Sequence, residues 1–245
     1  MNDANDLRIK VYADGADLRS MISLARNDLI RGLTTNPTLM KQSGVTDYES
    51  FAKEVLNSIT SKPISFEVFA DEPDEMRRQA REIASWGSNV YVKVPVTTTD
   101  GKSCGPLIQD LARDGVKLNV TAIMTAEQVD YVSEHLSADV PAVVSVFAGR
   151  IADTGRDPIP IMSRSLSILS DLPKAELLWA SPRELLNIIQ AEEVGCQIIT
   201  VTPDLIKKFE LIGKDLSQFS LETVKMFYND AAAAGYTIRS TTQGE

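Results

Sequence analysis

With 245 residues, 43% of them hydrophobic and no break in composition, the chain can bury one large core and is expected to be one domain. A formal net charge of −9 argues against nucleic acid and anionic membrane as partners, since both require clustered Lys and Arg. Cys104 and Cys196 have no metal-ligand spacing and read as free thiols. Met1 to Lys10 is polar and no apolar run reaches membrane-spanning length, so a soluble, cytoplasmic protein is expected.

In chain order, β-rich runs alternate with amphipathic stretches, the pattern of a parallel sheet with crossover helices. The first expected strand, Ile9–Asp14, runs into Ala13-Asp14-Gly15-Ala16-Asp17, which lacks the glycine spacing of a dinucleotide-binding turn. Leu33–Asn36 is the second strand, followed by a helix over Tyr48–Ile59, a strand over Ile64–Phe69 and a helix over Glu72–Trp86. After the fourth strand, Val90–Val96, comes Gly101-Lys102-Ser103. Val96 stands where a phosphate-binding loop needs its leading glycine, so the triplet reads as an ordinary loop. Strand Leu118–Ile123 and helix Ala126–Leu136 come next. The last strands are Ala142–Phe147, Leu177–Ser181 and Ile198–Thr202, with helix Arg183–Val194 between the final two. Eight such units in this length predict a single closed (β/α)8 TIM barrel of the α/β class rather than a doubly wound sheet. Helical segments Pro203–Leu216 and Leu221–Ala234 follow the eighth strand. The second is extra to the barrel and must bury its apolar face across the barrel end or on another subunit. The barrel with its extra C-terminal helix is expected over residues 1–236, with a flexible tail over 237–245.

Strand side chains alternate with a period of two, so each strand can be sorted into axis-facing and helix-facing residues. Ile64, Phe66 and Val68 suit helix packing, leaving Ser65, Glu67 and Phe69 to face inward. Leu118, Val120 and Ala122 likewise face outward and Asn119 and Thr121 inward. The same parity turns Asp14, Thr34, Asn36, Lys93, Ser145, Ser181, Thr200 and Thr202 inward near the carboxyl ends of their strands, where barrel enzymes build active sites. A lone Ser or Thr there can simply ease the passage from strand to loop. A lysine inside Val90-Tyr91-Val92-Lys93-Val94-Pro95-Val96 demands more, because lysine is rarely buried without cause; an exposed edge strand is the alternative. Burial favours the neutral amine of a lysine, the form that attacks a ketone, so Lys93 is the candidate Schiff-base nucleophile. Asp14 and Glu67 are suited to move protons around it, or alternatively to neutralise it as ion-pair partners. Arg150 and Arg183 follow the sixth and seventh strands, in loops that barrels use for anionic groups. His135, the one histidine, lies beside Glu134 in an expected helix and reads as solvated. That argues against a histidine base or a histidine-ligated metal, and neither metal nor organic cofactor is expected.

These residues stand in the motifs Ala13-Asp14-Gly15, Thr34-Thr35-Asn36-Pro37-Thr38-Leu39, Val92-Lys93-Val94-Pro95, Asn119-Val120-Thr121, Ser145-Val146-Phe147-Ala148-Gly149-Arg150-Ile151 and Ser181-Pro182-Arg183. In order and spacing the set resembles the transaldolases, especially the short class that includes fructose 6-phosphate aldolase, through nearly the whole chain. The resemblance implies that Lys93 forms the Schiff base and that Asp14 handles the substrate hydroxyl proton. Glu67 and Thr121 would hold a proton-relaying water. Asn36 and Asn119 would bind the hydroxyls of a dihydroxyacetone unit, with Thr34 and Ser145 close by, and Arg150, Ser181 and Arg183 would bind phosphate. Glu67 and Phe147 stand where the aldolase branch resembles Gln and Tyr. Without a tyrosine hydroxyl to help water release the three-carbon unit, the enamine waits for an aldehyde acceptor. The expectation is therefore a transaldolase of pentose phosphate metabolism, moving dihydroxyacetone from a ketose phosphate, such as fructose 6-phosphate or sedoheptulose 7-phosphate, to an aldose phosphate. The alternatives are aldol cleavage releasing free dihydroxyacetone, and a different acidic ketose as donor. Pro182 motivates the second, because proline replaces the aromatic or aliphatic residue more usual in the family and can reshape the anion loop. Short members also tend to form rings by packing a carboxyl-terminal helix on a neighbour, which implies a homo-oligomer built through Leu221–Ala234. Outside the enzymes, the competing reading is a silent sugar-phosphate binding barrel with Lys93 ion-paired to Asp14 or Glu67.

Overall fold

The computed structural model describes residues 4–238; the first three residues and positions 239–245, most of the expected tail, lie outside the described residues. Eight parallel strands close in sequence order: β1 (Lys10–Asp14), β2 (Ile30–Thr34), β3 (Ile64–Glu67), β4 (Val90–Pro95), β5 (Leu118–Ile123), β6 (Ala142–Val146), β7 (Ala175–Trp179) and β8 (Ile198–Val201). Closure runs from Lys10 opposite Ile198 to Ala13 opposite Val201, so no strand is an edge and the edge-strand account of Lys93 is removed. The fifth strand spans the expected residues. Several others stop short because the chain turns at once into a helix: Asn36, Phe147 and Thr202, expected as strand ends, are N-caps instead.

The helices are α1 (Leu18–Ala25), α2 (Pro37–Gln42), α3 (Tyr48–Ser58), α4 (Pro73–Ser85), α5 (Gly105–Arg113), α6 (Ala126–Ser133), α7 (Ala148–Asp153), α8 (Ile159–Ile168), α9 (Leu186–Val194), α10 (Pro203–Ile206) and α11 (Leu216–Ala233). Local chemistry sets their starts. Asp17 and Asp47 accept from the backbone of Ser20 and Ser50, Thr125 and Gln128 form a capping box, and prolines open α2, α4, α5, α8 and α10. The expected Pro203–Leu216 helix is the short α10 followed by a 3-10 turn, Lys207–Leu211.

Alternation along the strands separates two apolar cores. Outward Val11, Leu33, Phe66, Val92, Val120, Val144, Leu177 and Ile199 join the helices in the large core. Inward Tyr12, Val143, Leu178, Ala180 and Ile198 form a smaller plug in the barrel. Gly32 makes room for it, since a Cβ there would lie 2.5 Å from the Tyr12 ring. Two parity expectations are corrected. Ala122 was expected to face the helices, but its φ of 63° and a register irregularity between Val120 and Ile123 turn it to the cavity at the barrel mouth. Phe69 lies past the end of β3, 51% exposed, with its ring 4.4 Å from that of Tyr48 rather than on the axis.

Helix α11 buries none of its residues. Leu216 is 80% exposed and Tyr228 74%, with Phe219, Leu221, Val224, Met226 and Phe227 also uncovered. It begins earlier than expected and does not lie across its own barrel. Among the described residues, no helix is long and apolar enough to cross a membrane.

Candidate active site

The carboxyl ends of the strands surround a cavity of about 510 Å³, and every expected site residue except Arg183 lines it. Lys93, only 7% exposed, projects from β4. Its Nζ donates to Thr35 O at 2.9 Å and stands 3.2 Å from Glu67 Oε2. The strand pairing sets Glu67 directly opposite Lys93, so the contact follows from register. The ion-pair account of Glu67 therefore describes the resting geometry, and the same contact offers a path for a proton.

Asp14 is in a different situation. Thr34 Oγ1 donates to its Oδ1 at 2.8 Å and Asn36 Nδ2 to its Oδ2 at 3.3 Å. Burial pushes the Asp14 carboxyl above its ordinary range, against the lowering influence of Lys93 and of these two hydrogen bonds, while the Glu67 charge adds to the rise. The two carboxyls therefore sit differently: Glu67 pairs with the lysine, while Asp14 is held by Thr34 and Asn36 with its carboxyl raised by burial. Asn36 serves twice, because its Oδ1 also caps α2 by accepting from Leu39 N at 3.0 Å.

A second polar chain crosses the cavity wall, with Ser145 Oγ donating to Asn119 Oδ1 at 2.7 Å and Asn119 Nδ2 donating to Ser65 Oγ at 2.9 Å. Thr121 stands apart. Its Oγ1 is buried with no hydrogen-bond partner among the described residues, a condition otherwise found only at Trp179 Nε1 in the helix-side core. A buried hydroxyl facing a polar cavity without a protein partner is suited to a water or a substrate hydroxyl.

At the mouth, the Arg150 guanidinium lies 5.6 Å from the Phe147 ring centre, and both line the cavity with Ser181. Ser181 has a φ of 61°, uncommon for a residue with a side chain. Gly149 permits that bend to approach, since a Cβ at 149 would fall 1.5 Å from Ser181 O. Arg183 lies outside the cavity lining and is held in a fork by Asp153, with Nε donating to Oδ1 at 3.1 Å and a terminal nitrogen to Oδ2. The same guanidinium holds the Asp153 carboxyl below its ordinary value.

Sequence reasoning assigned no role to several lining residues. Thr200, 2.5 Å from Thr34 Oγ1, was on the inward parity of β8 and could have been proposed. Thr38 and Gln42 reach the cavity from α2, and Met124 from beyond β5, with no signal in the pattern. His135 lies past α6 with its ring 4.4 Å from that of Tyr131 and does not line the cavity. Among the described residues, no group of three or more His, Cys, Asp or Glu could hold a metal ion.

The family model described as Transaldolase/Fructose-6-phosphate aldolase matches residues 11–243. A probable transaldolase of Brucella anthropi is 32% identical over 232 residues, covering 94% of this chain and 100% of the relative. A probable transaldolase of Dehalococcoides mccartyi is 32% identical over 195 residues (79% of this chain, 86% of the relative), and probable transaldolase 2 of Listeria monocytogenes is 33% identical over 202 (82% and 88%). A closed (β/α)8 barrel and these matches together identify the chain as a member of the transaldolase/fructose-6-phosphate aldolase family.

Proposed function

We propose that the protein is a cytoplasmic Schiff-base transaldolase that moves a dihydroxyacetone unit from a ketose phosphate to an aldose phosphate. The observation that carries this reading is the buried Lys93 amine, 3.2 Å from Glu67 on the wall of a polar cavity it shares with Asp14. Lys93 passes a proton to Glu67, and its Nζ forms a bond to the ketose carbonyl carbon; the carbinol oxygen, protonated in turn, leaves as water. Asp14 in its carboxylate form takes the C4 hydroxyl proton while the C3–C4 bond breaks, the aldehyde departs and the bonding pair remains as an enamine on Lys93. The enamine carbon then attacks the acceptor aldehyde, whose oxygen regains the proton from Asp14, and water hydrolyses the imine.

In this reading Glu67 and the unpartnered hydroxyl of Thr121 hold the relaying water, while Asn36, Asn119, Thr34 and Ser145 fix the three-carbon unit. Arg150 and Ser181 receive the phosphate. Phe147 has no hydroxyl with which to help water capture the enamine, which favours transfer over release. The pairing of Arg183 with Asp153 supports a second reading, a donor with a smaller or differently placed acidic end, since of these two arginines Arg150 alone lines the cavity. The uncovered face of α11 supports a homo-oligomer, a ring in which the C-terminal helix of one barrel packs on its neighbour. The test is peptide mass spectrometry after incubation with fructose 6-phosphate and borohydride, followed by assay with and without an aldose phosphate. A three-carbon adduct on Lys93 and acceptor-dependent turnover are expected. Failure of that ketose and of unphosphorylated and carboxylated ketoses alike to form an adduct rejects the mechanism, and free dihydroxyacetone as the main product rejects transfer.

A further inference from the structure

The end of β3 lacks a strand neighbour at the position that matters most for Lys93. β2 pairs with β3 only at Leu33 opposite Ile64 and Thr34 opposite Ser65. Thr35 adds a last backbone bond to Ser65 O at 3.2 Å before the chain turns into α2. In a parallel strand, residues two apart point their N–H and C=O groups to the same side, so the backbone of Glu67 faces the space that β2 has vacated. On the other side the ladder to β4 continues, with Glu67 opposite Lys93 and Val68 N donating to Lys93 O at 3.1 Å.

One side chain fills the vacancy. Tyr48, in the first turn of α3, accepts from Glu67 N at 2.7 Å and donates to Glu67 O at 3.0 Å, supplying both bonds that a continuing strand would have made. Its ring is held edge-on by Phe66, Phe69 and Trp86, at centroid distances of 6.1, 4.4 and 5.7 Å. Gln79 secures the chain just beyond, its Oε1 accepting from Phe69 N at 2.8 Å and Ala70 N at 3.0 Å. Tyr48 does not line the cavity, so its hydroxyl bears on the site only through Glu67.

We propose that Tyr48 is a positioning residue: its hydroxyl replaces the missing strand at the end of β3 and so holds the Glu67 carboxylate at the distance from Lys93 that proton transfer requires. This rests on the Schiff-base reading above. Tyr48→Phe keeps the caged ring and removes both backbone bonds. It is expected to lower kcat by about ten- to a hundredfold with KM nearly unchanged. A double-mutant cycle separates aiming from general support: in a Glu67→Gln background, Tyr48→Phe should cost less than about twofold more in kcat, because the group it aims is gone.

Wild-type protein is first trapped with borohydride and its ketose. No adduct on Lys93 with any ketose rejects the underlying mechanism and this inference with it. An adduct in wild type with unaltered kcat in Tyr48→Phe rejects the inference alone. Full additivity in the cycle overturns it, and so does a Tyr48→Phe protein without native circular dichroism, since the hydroxyl would then be supporting the barrel.

Discussion

Replacement of Gly149 by alanine tests how the anion end of the site is built. A Cβ at 149 would stand 1.5 Å from Ser181 O, 2.6 Å from Ser181 C and 3.3 Å from Pro182 N, and side-chain carbons essentially never approach closer than 3.0 Å. The obstacle is backbone and cannot swing aside. Ser181 already has a φ of 61° and the ring of Pro182 fixes its own φ, so small torsional adjustments cannot open the gap. Either the bend after β7 or the start of α7 must retreat by 1.5 Å or more, breaking the 3.3 Å bond from Gly149 N to Ala180 O. Overpacking of this kind costs about 1–3 kcal/mol, which for a chain of this size lowers Tm by roughly 2–12 °C. The same retreat separates Ser181 from Arg150, so KM for a phosphorylated donor should rise by at least about tenfold, while borohydride trapping at saturating donor still labels Lys93. Thermal melts by circular dichroism and steady-state kinetics measure both effects. A variant with wild-type Tm and wild-type KM would refute the reasoning, because the close approach would then be neither tight nor relevant to the anion.

Asp14→Asn should trade activity for stability. A carboxyl raised in the folded state contributes most below its ordinary value of 3.8, and that contribution declines as pH rises toward the folded value, leaving a buried charge as a net cost at neutral pH. Melting at pH 7 should be higher in the variant and turnover lower by about 10²–10⁴-fold; a lower Tm at pH 7 contradicts the assignment. Thr121→Val removes a buried hydroxyl with no protein partner, so stability should hold or rise by up to about 1 kcal/mol while kcat falls; unchanged kcat would remove Thr121 from the proton relay. Removing residues 216–245 takes away α11, and the truncated protein should sediment as a monomer; an unchanged profile would show that another surface holds the assembly.

The pattern of residues alone determined the barrel, its strand order and most of the polar residues that gather at one rim. Alternating parity along eight short runs leaves one closed arrangement, and polar residues at strand ends must then converge at one rim. Lys93, Asp14 and Glu67 were legible because a charge on the inner face of an otherwise apolar strand must be paired or put to use. The tertiary structure decided what depends on distance. The fork of Asp153 on Arg183 joins residues thirty positions apart on different β/α units, and the Ser181 bend requires Gly149 beside it. Ala122 enters the cavity through a local backbone reversal that a period of two cannot foresee. Tyr48 looked like one more aromatic in an amphipathic helix. Its role comes from where β2 stops, and a strand ends where its neighbours and the loop beyond it allow, which is a property of the closed barrel rather than of any one segment.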